Sequence, residues 1–252
     1  WDAWAKQQGI SLAKAIGGER TRVEAGVSIG IQSTPDRLVE VVDGYLNEGY
    51  KRIKIKIKPG YDFNYVQALR QTFGDITLMV DANSAYTLDD IDLFKRMDQF
   101  GLLMIEQPLA HDDIIDHRKL QAAIATPICL DESIASAEDA RKALELGSGR
   151  IINIKVARVG GITEVKMIHD LCQQQGVPVW CGGMLDTAVG KAHNIAIASL
   201  PNFVFAHDIP PSARYWHEDF MLPQVEMDRD SCVAVPEAPG IGFEINPRLY
   251  QE

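Results

Sequence analysis

The stretch RIKIKIK, residues 52–58, alternates lysine with isoleucine, which predicts a β-strand with one apolar and one cationic face. Similar β-branched runs recur along the chain, and between them lie stretches whose apolar residues are three and four positions apart. This alternation is typical of parallel strands that are joined by crossover helices. The predicted strands are residues 24–31, 52–57, 76–80, 102–105, 127–130, 151–154, 178–181 and 202–206.

Eight strands with seven intervening helices predict a closed TIM-like α/β barrel, written (β/α)7β, rather than an open sheet. The length of 252 residues suits one such barrel. No low-complexity stretch or charge block marks an internal boundary, and the segment after about residue 210 is expected to be irregular. Four of the helices are predicted at residues 35–47, 88–100, 137–146 and 164–175.

A charged residue ends each of five successive predicted strands. Lys56 is followed by Asp81, Glu106, Asp131 and Lys155, at spacings of 25, 25, 25 and 24 residues. Each step is one β/α unit, so these side chains are expected at the C-terminal rim, where barrel active sites lie. A single Asp or Lys at a strand end is commonly a helix cap or a solvated residue, whereas five in register indicate a site.

The residue types predict metal-assisted proton transfer on a small carboxylate substrate. Three carboxylates on adjacent strands would raise one another's pKa unless a cation lay between them. Such oxygen ligands suit Mg²⁺, with Mn²⁺ as an alternative. Lys56 and Lys155 flank the carboxylates, and Lys54 lies on the same strand face as Lys56. A lysine beside a dication and another ammonium loses its proton more readily, so it can act as a base near neutral pH.

The composition excludes several classes of partner. The net charge of −10 argues against nucleic acid or an anionic membrane as the main partner, while a homo-oligomer is left open. No apolar run reaches the roughly 18 residues of a membrane span, and no signal peptide is visible. None of the four cysteines belongs to a CxxC pair, which favours a reducing compartment and a cytoplasmic location.

Several motifs resemble those of a known family. They are RIKIKIKPGYD at 52–62, VDANSAYTL at 80–88, IEQPL at 105–109, TPICLDESI at 126–134, NIKVARVGG at 153–161, VPVWCGGM at 177–184 and ASLPNF at 198–203. The motifs resemble the muconate-lactonizing subgroup of the enolase superfamily, most closely its o-succinylbenzoate synthase and N-acylamino acid racemase family. The resemblance runs through nearly the whole chain.

This resemblance implies a role for each residue of the predicted site. Lys56 would be the general base that takes the α-proton, with Lys54 beside it, and Lys155 would stand on the opposite face. The three carboxylates, Asp81, Glu106 and Asp131, would hold Mg²⁺, which binds the substrate carboxylate and its enediolate in this superfamily. Further residues that the resemblance places near the metal or the substrate are Asn83, Arg158, Gly183, Met184 and Asp186.

The sequence also departs from the family pattern. Asp186, Ala188 and Lys191 stand where Glu, Gly and Arg are usual, and the shorter Asp186 bears on substrate choice. The family carries an N-terminal α+β capping domain, which we expect to be absent from this chain. Residues 1–22 would be a hinge segment left from that cap, and residues 23–252 would be the catalytic barrel with its irregular tail.

Three functions are compatible with these motifs. The first is o-succinylbenzoate synthase, in which Lys56 removes a proton and water leaves in a syn dehydration that serves menaquinone biosynthesis. The second is N-acylamino acid racemase, including N-succinylamino acid racemase, in which Lys56 and Lys155 act as acid and base on opposite faces. The third is an uncapped barrel fragment without activity, because an open site would not exclude water.

Overall fold

A curled sheet of seven parallel strands forms the centre of the computed structural model, which describes residues 1–250. The sheet runs in chain order from β2 to β8, as expected for successive β/α units. Two short antiparallel pairs, β1 with β10 and β9 with β11, lie outside it. The strands are β1 (Arg22–Glu24), β2 (Val27–Ile29), β3 (Arg52–Lys56), β4 (Thr77–Asp81), β5 (Ile105–Glu106), β6 (Ile128–Leu130), β7 (Ile151–Asn153), β8 (Val179–Trp180), β9 (Met221–Leu222), β10 (Cys232–Ala234) and β11 (Glu244–Ile245).

Helices precede, connect and follow the parallel strands. They are α1 (Asp2–Gln7), α2 (Leu12–Ile16), α3 (Pro35–Asn47), α4 (Phe63–Phe73), α5 (Ile91–Met97), α6 (Ile115–Ala123), α7 (Ala137–Leu146), α8 (Val156–Val159), α9 (Ile162–Gln174) and α10 (Ala188–Ala198). The predicted helices at 35–47 and 137–146 are confirmed as α3 and α7, each with a side-chain N-cap, Thr34 or Ser136. The stretch predicted as one helix at 88–100 is α5 between two 3₁₀ turns, Leu88–Asp90 and Asp98–Phe100.

The segment 202–208 hydrogen-bonds to both edges of the sheet. On one side, Val179 N donates to Asn202 O at 3.1 Å, and Val204 N donates to Val179 O at 3.1 Å. On the other side, His207 N donates to Glu24 O at 2.8 Å, just before β2. The prediction of a regular strand at 202–206 was therefore wrong, because each edge takes up only one or two residues of the segment and no continuous ladder forms.

The interior of the sheet carries an apolar layer directly beneath the predicted site. This layer consists of Met79, Met104, Cys129, Ile151 and Trp180, each at most 3% exposed. The first three lie two residues before the carboxylates of β4, β5 and β6, and so on the same strand face. The layer seals the interior, and charged groups at the rim above it are cut off from water on that side.

A buried ion pair lies beside this layer. Arg52, 2% exposed, donates from Nη2 to Asp208 Oδ1 at 2.7 Å, and its guanidinium lies 5.3 Å from the ring centroid of Trp180. Asp208 also accepts from Lys54 at 2.6 Å, and it ends the 202–208 segment. Through these contacts Asp208 links the segment to β3, the strand next to the edge strand β2.

The N-terminal residues pack against the C-terminal region. Leu12 N donates to Gly240 O at 2.6 Å, and Asp2 Oδ1 accepts from Ile241 N at 2.7 Å. Gly240 has φ +70°, and a Cβ there would lie 2.3 Å from that same Asp2 oxygen. Residues 1–16 therefore form one packed unit with the region around Gly240. Within the described residues, no helix is long and apolar enough to cross a membrane.

We expect the Asp208→Ala substitution to destabilise the protein by about 3–5 kcal/mol, because it leaves the buried Arg52 guanidinium without its counter-charge. Chemical denaturation of the metal-free protein would measure the loss. The matched control is Asp230→Ala, which removes a carboxylate that is 68% exposed and pairs with Arg22 at the surface. Equal effects of the two substitutions would contradict the assignment of Asp208 as a structural counter-ion.

Candidate active site and metal centre

Strand register brings the predicted site residues to one rim. Lys56 is the direct partner of Asp81 across β3 and β4, and Asp81 is the direct partner of Glu106 across β4 and β5. Asp131 and Lys155 each come one or two residues after their strands, β6 and β7. Five side chains spaced by one β/α unit thus lie side by side at the C-terminal ends of the parallel strands.

Each of the three carboxylates is paired with one of the three predicted lysines. Lys56 Nζ donates to Asp81 Oδ2 at 2.6 Å. Lys54 Nζ donates to Glu106 Oε2 at 3.1 Å. Lys155 Nζ donates to Asp131 Oδ2 at 2.6 Å. The carboxylates are at most 1% exposed, so three buried negative charges are balanced by three ammonium groups.

The lysines differ in their access to solvent. The side chain of Lys56 is 31% exposed and that of Lys155 is 16% exposed, while that of Lys54 is 4% exposed. Burial alone would lower the pKa of Lys54, but the charges of Asp208, Glu106 and Asp81 outweigh it and raise the pKa well above its usual value. We therefore expect Lys54 to stay protonated, whereas the Lys56 and Lys155 side chains are the two that solvent reaches.

The ionised form of Glu106 is disfavoured by its surroundings. Burial raises its pKa well above the ordinary value, and the negative charges of Asp81 and Asp131 raise it further, against the opposing effect of Lys54. Asn153 Nδ2 also donates to Glu106 Oε1 at 2.7 Å, which orients the group. Carboxylates that oppose one another's ionisation in this way are the donor set that a divalent cation fits.

Asp131 has a different environment. Burial would raise its pKa, but Arg158 and Lys155 together lower it below the usual value. Arg158 donates from Nη1 to Asp131 and from Nε to Ile134 O at 2.8 Å, so its guanidinium is held at the rim. The resemblance placed Arg158 near the metal or the substrate, and in the structure its side chain contacts the predicted ligand Asp131.

Asn83 and Gln107, both at the rim, have unusual backbone conformations. Both have left-handed φ values, 41° and 37°, which are costly for residues other than glycine. Asn83 accepts from Lys56 Nζ at 2.6 Å, and its amide donates to Glu132 at 3.0 Å. Gln107 Oε1 accepts from Asp131 N at 2.9 Å. The strain thus occurs where the backbone positions site residues.

Within residues 1–250, no group of three or more His, Cys, Asp or Glu side chains is arranged so that it could hold a metal ion. In the same residues each of the three carboxylates is paired with an ammonium or a guanidinium group. The donor chemistry and the opposed charges at Glu106 still fit a hard divalent cation. Metal binding by Asp81, Glu106 and Asp131 remains a prediction.

The lysines open into a cleft of about 320 Å³, which we call the rim cleft. It is lined by Lys54, Lys56, Lys155, Gly183, Met184 and Asp208, among others. The expected substrate-side residues Gly183 and Met184 thus lie in the same cleft as the lysines. A Cβ at Gly183 would lie 2.4 Å from Asp208 O, so only glycine fits there.

Asp186 lies elsewhere. It lines a second cleft of about 210 Å³, with Val156, Gly190 and His193, and its Oδ2 accepts from Asn194 at 3.0 Å. Lys155 and Met184 border both clefts. Asp186 therefore lies outside the rim cleft and shares only the second cleft with Lys155.

Four residues of the site were missed by sequence reasoning: Arg52, Gln107, Asn153 and Asp208. Arg52 and Asn153 alternate with Lys54 and Lys155 on their strands, so period-two alternation could have placed them on the interior face. Gln107 follows Glu106 directly and had no such signal. Asp208 follows a segment without regular strand structure, and its role depends on tertiary contacts.

Comparison with known proteins gives a family match. Residues 37–249 match the family model described as enolase C-terminal domain-like. A curated relative from Geobacillus kaustophilus, named o-succinylbenzoate synthase, is 55% identical over 251 residues, which cover 100% of this chain and 67% of that protein. A relative from Thermus thermophilus, named N-succinylamino acid racemase, is 49% identical and covers 97% of this chain and 66% of its own length.

A solved structure is also similar to this chain. It is a member of the enolase superfamily from Listeria innocua, 44% identical, with a TM-score of 0.95. The match covers 99% of this chain and 67% of that one. The chain thus spans about two thirds of the length of these proteins.

We expect magnesium to stabilise the protein through these carboxylates. A ligand at a hundredfold excess over its Kd adds roughly 2.7 kcal/mol to the free energy of unfolding, which appears as a higher Tm. Glu106→Gln should remove most of this increment, because it deletes one anionic donor. The increment is the difference between thermal melts with and without millimolar MgCl₂.

The matched control is Asp98→Asn. Asp98 accepts from Ala125 N and Thr126 N, before the start of β6 and so at the opposite end of the strands. This variant should melt lower but keep the full magnesium increment. If Glu106→Gln kept it as well, Glu106 would not be a metal ligand.

Proposed function

This chain belongs to the enolase C-terminal domain-like family, and from that premise we propose that it carries the catalytic site of a metal-dependent o-succinylbenzoate synthase. The resemblance to the enolase superfamily predicted from the sequence is confirmed by the family match and by the identities of 44–55% to its members. The name of the Geobacillus relative supplies the reaction, and the geometry of the rim cleft supplies the residues.

One observation carries the proposal: Lys56 and Lys155 open into the same cleft directly above three buried carboxylates. The two lysines come from β3 and from the end of β7, which are separated by three strands of the sheet. Their ammonium groups therefore approach a substrate in the cleft from different sides. A carbon held between them can lose a proton to one lysine while the other faces its opposite side.

Asp81, Glu106 and Asp131 are the residues that would hold Mg²⁺, or Mn²⁺ in its place. The chemistry that a bound divalent cation supplies is polarisation of the substrate carboxylate, which acidifies the adjacent carbon–hydrogen bond. Lys54 and Asn153 fix the Glu106 carboxylate from two sides, so the donor set is held in position by the protein itself.

Lys56 is the residue that we assign as the base. Asp81 and Asn83 accept from its Nζ at 2.6 Å each, which fixes the nitrogen at the cleft floor. After Lys56 takes the α-proton, its ammonium group returns that proton to the hydroxyl on the neighbouring carbon. The hydroxyl then departs as water from the same face while the carbon–carbon double bond forms. In this dehydration Lys155 contributes a positive charge beside the reacting carboxylate rather than a proton-transfer step.

A second candidate is N-succinylamino acid racemase, the name of the Thermus relative. Arg158 and Lys155 both bind Asp131, so two cations stand together on the Lys155 side. Burial and the Arg158 guanidinium would lower the pKa of Lys155, but Asp131 and Glu106 outweigh them and raise it above its usual value. A divalent cation bound to the same carboxylates would oppose that upward shift. In this reaction each lysine removes the proton from one enantiomer and the other returns it.

We also propose the finer architecture. The contacts of segment 202–208 with both sheet edges support a closed (β/α)7β barrel over residues 23–252, of which the last two lie outside the described part. Residues 1–22 would be the hinge toward a capping domain, in line with the greater length of the relatives.

Lysine substitutions separate the two reactions. Lys155→Ala should abolish racemisation of both enantiomers, because each direction needs one lysine as the base and the other as the acid. The same substitution should slow dehydration by roughly 10²–10³-fold, the usual contribution of one stabilising group. Lys56→Ala should abolish dehydration. Steady-state assays of the full-length protein would measure all four rates, with the exposed Lys58→Ala as the control.

Hydrogen exchange in D₂O tests which face each lysine serves. A Lys155→Arg variant should exchange deuterium only into the enantiomer whose α-proton faces Lys56. Equal exchange into both enantiomers would show that Lys155 is not a base. A metal-loaded full-length protein that catalysed neither reaction would contradict the proposed function as a whole.

A further inference from the structure

The rim cleft is cationic in a protein of net charge −10. Its lining contains four cationic side chains, Lys54, Lys56, Lys155 and Arg214, and one carboxylate, Asp208. Lys54, Lys56 and Lys155 are paired with the three site carboxylates. Arg214 lines the same cleft, on the part that we call its wall, and within the described residues it pairs with none of these carboxylates. A wall cation without a role in proton transfer indicates a second anionic group on the substrate.

Arg214 belongs to the 3₁₀ turn Ser212–Arg214 and is held at this wall by Ser28. Its Nη2 donates to Ser28 O at 2.8 Å, and Ser28 itself lines the cleft. The guanidinium lies 4.8 Å from the ring centroid of Tyr45 and 5.6 Å from that of Tyr215. Among the described residues its buried Nη1 finds no hydrogen-bond partner, so the guanidinium keeps one unsatisfied donor at this cleft-lining residue.

In the described part of the chain, Lys191 is a second cationic side chain with an unpaired donor, and it lies beside the ring of Tyr215. Lys191 is 2% exposed, and its Nζ lies 5.6 Å from the ring centroid of Tyr215. Within residues 1–250, this Nζ has no hydrogen-bond partner. Burial lowers its pKa, and the charges of Asp219 and Asp186 oppose that effect. A buried ammonium without a partner is costly, and a nearby anion would recover part of that cost.

We propose that Arg214, Tyr215 and Lys191, here called the cationic wall, bind a second carboxylate at the far end of the substrate. Arg214 would pair with the carboxylate directly. Lys191 would act through Tyr215, whose ring it contacts, as a positioning residue that adds positive charge. The inference rests on the proposed function, because both relatives' names contain a succinyl group, an acyl chain that ends in a free carboxylate.

The geometry favours this wall over the second cleft. That cleft shares Lys155 with the rim cleft, but its lining among the described residues contains the Asp186 carboxylate and no arginine. A negative group there would face Asp186, and like charges repel. The rim cleft, in contrast, joins the two lysines of the reaction to Arg214 within one continuous space. One substrate can therefore place its reacting carbon between the lysines and its distal carboxylate at the wall.

Binding of o-succinylbenzoate tests the inference without depending on turnover. Calorimetric titration of the full-length protein with magnesium would compare this dianion with its analogue in which the succinyl carboxylate is a primary amide. We expect the wild type to prefer the free acid by about 10- to 100-fold, the range for one charge-assisted hydrogen bond. Arg214→Gln should remove most of this preference while changing the Kd of the amide less than about threefold.

Two further variants keep the result interpretable. Lys191→Met leaves the Arg214 contact to Ser28 intact and should reduce the preference by a smaller factor. Arg214→Lys should restore part of it, because the charge returns without the planar fork. Arg150→Gln, which removes an exposed guanidinium that donates to Ala125 O, is the control and should bind both ligands as the wild type does.

The outcomes separate this inference from the proposed function. An unchanged preference in Arg214→Gln, in a variant with a wild-type melting curve, would overturn the role of Arg214. A wild type that bound acid and amide equally would overturn the cationic wall, even if it catalysed either reaction. A strong preference in a protein without turnover would support the wall and count against the proposed activity.

Discussion

The burial of like charges is the constraint on which the rest of this structure depends. Asp81, Glu106 and Asp131 are at most 1% exposed, and they lie on neighbouring strands above an apolar layer that excludes water from below. Burying even one unpaired carboxylate would be costly, and three would be incompatible with folding. The cationic side chains around the rim lower this free-energy cost because each is paired with one of the carboxylates.

The three lysines neutralise these carboxylates, and two of them are also the residues that we propose for proton transfer. Lys54, fully enclosed, stays protonated because three carboxylates surround it. Lys56 and Lys155 neutralise the outer two carboxylates yet remain partly open to the cleft. Binding of a divalent cation to the carboxylates would take over their role as counter-charge. The same lysines that stabilise the metal-free protein would then be free for proton transfer, so stability and activity draw on one set of contacts.

The constraint extends into the scaffold through Asp208. This carboxylate accepts from Arg52 and Lys54 of β3, and its backbone N donates to Cys181 O at 3.0 Å, just after β8. Arg214 lines the same cleft and adds a further positive charge to it. A chain whose overall charge is −10 thus concentrates positive charge where an anionic substrate would enter.

The sequence predicted the parts of this arrangement that depend on local periodicity. The 25-residue spacing from Lys56 to Asp131 placed four charges at one rim, because each step is one β/α unit and parallel strands share a direction. It could not predict Asp208, since the segment before it pairs with two separate strands through single residues. Helix α10 was predicted only as one of the seven intervening helices, without bounds, because most of its side chains are buried and it lacks the one-sided apolar stripe that marks a surface helix.

The central claim is that the three buried carboxylates form one metal site flanked by two lysines. A crystal structure of the protein grown with Mn²⁺, with data collected at the manganese absorption edge, tests it most directly. We predict one strong anomalous peak at about 2.0–2.6 Å from oxygens of Asp81, Glu106 and Asp131, with Lys56 and Lys155 on either side of it. A peak bound elsewhere, or carboxylates still paired only with their lysines at saturating Mn²⁺, would contradict the claim.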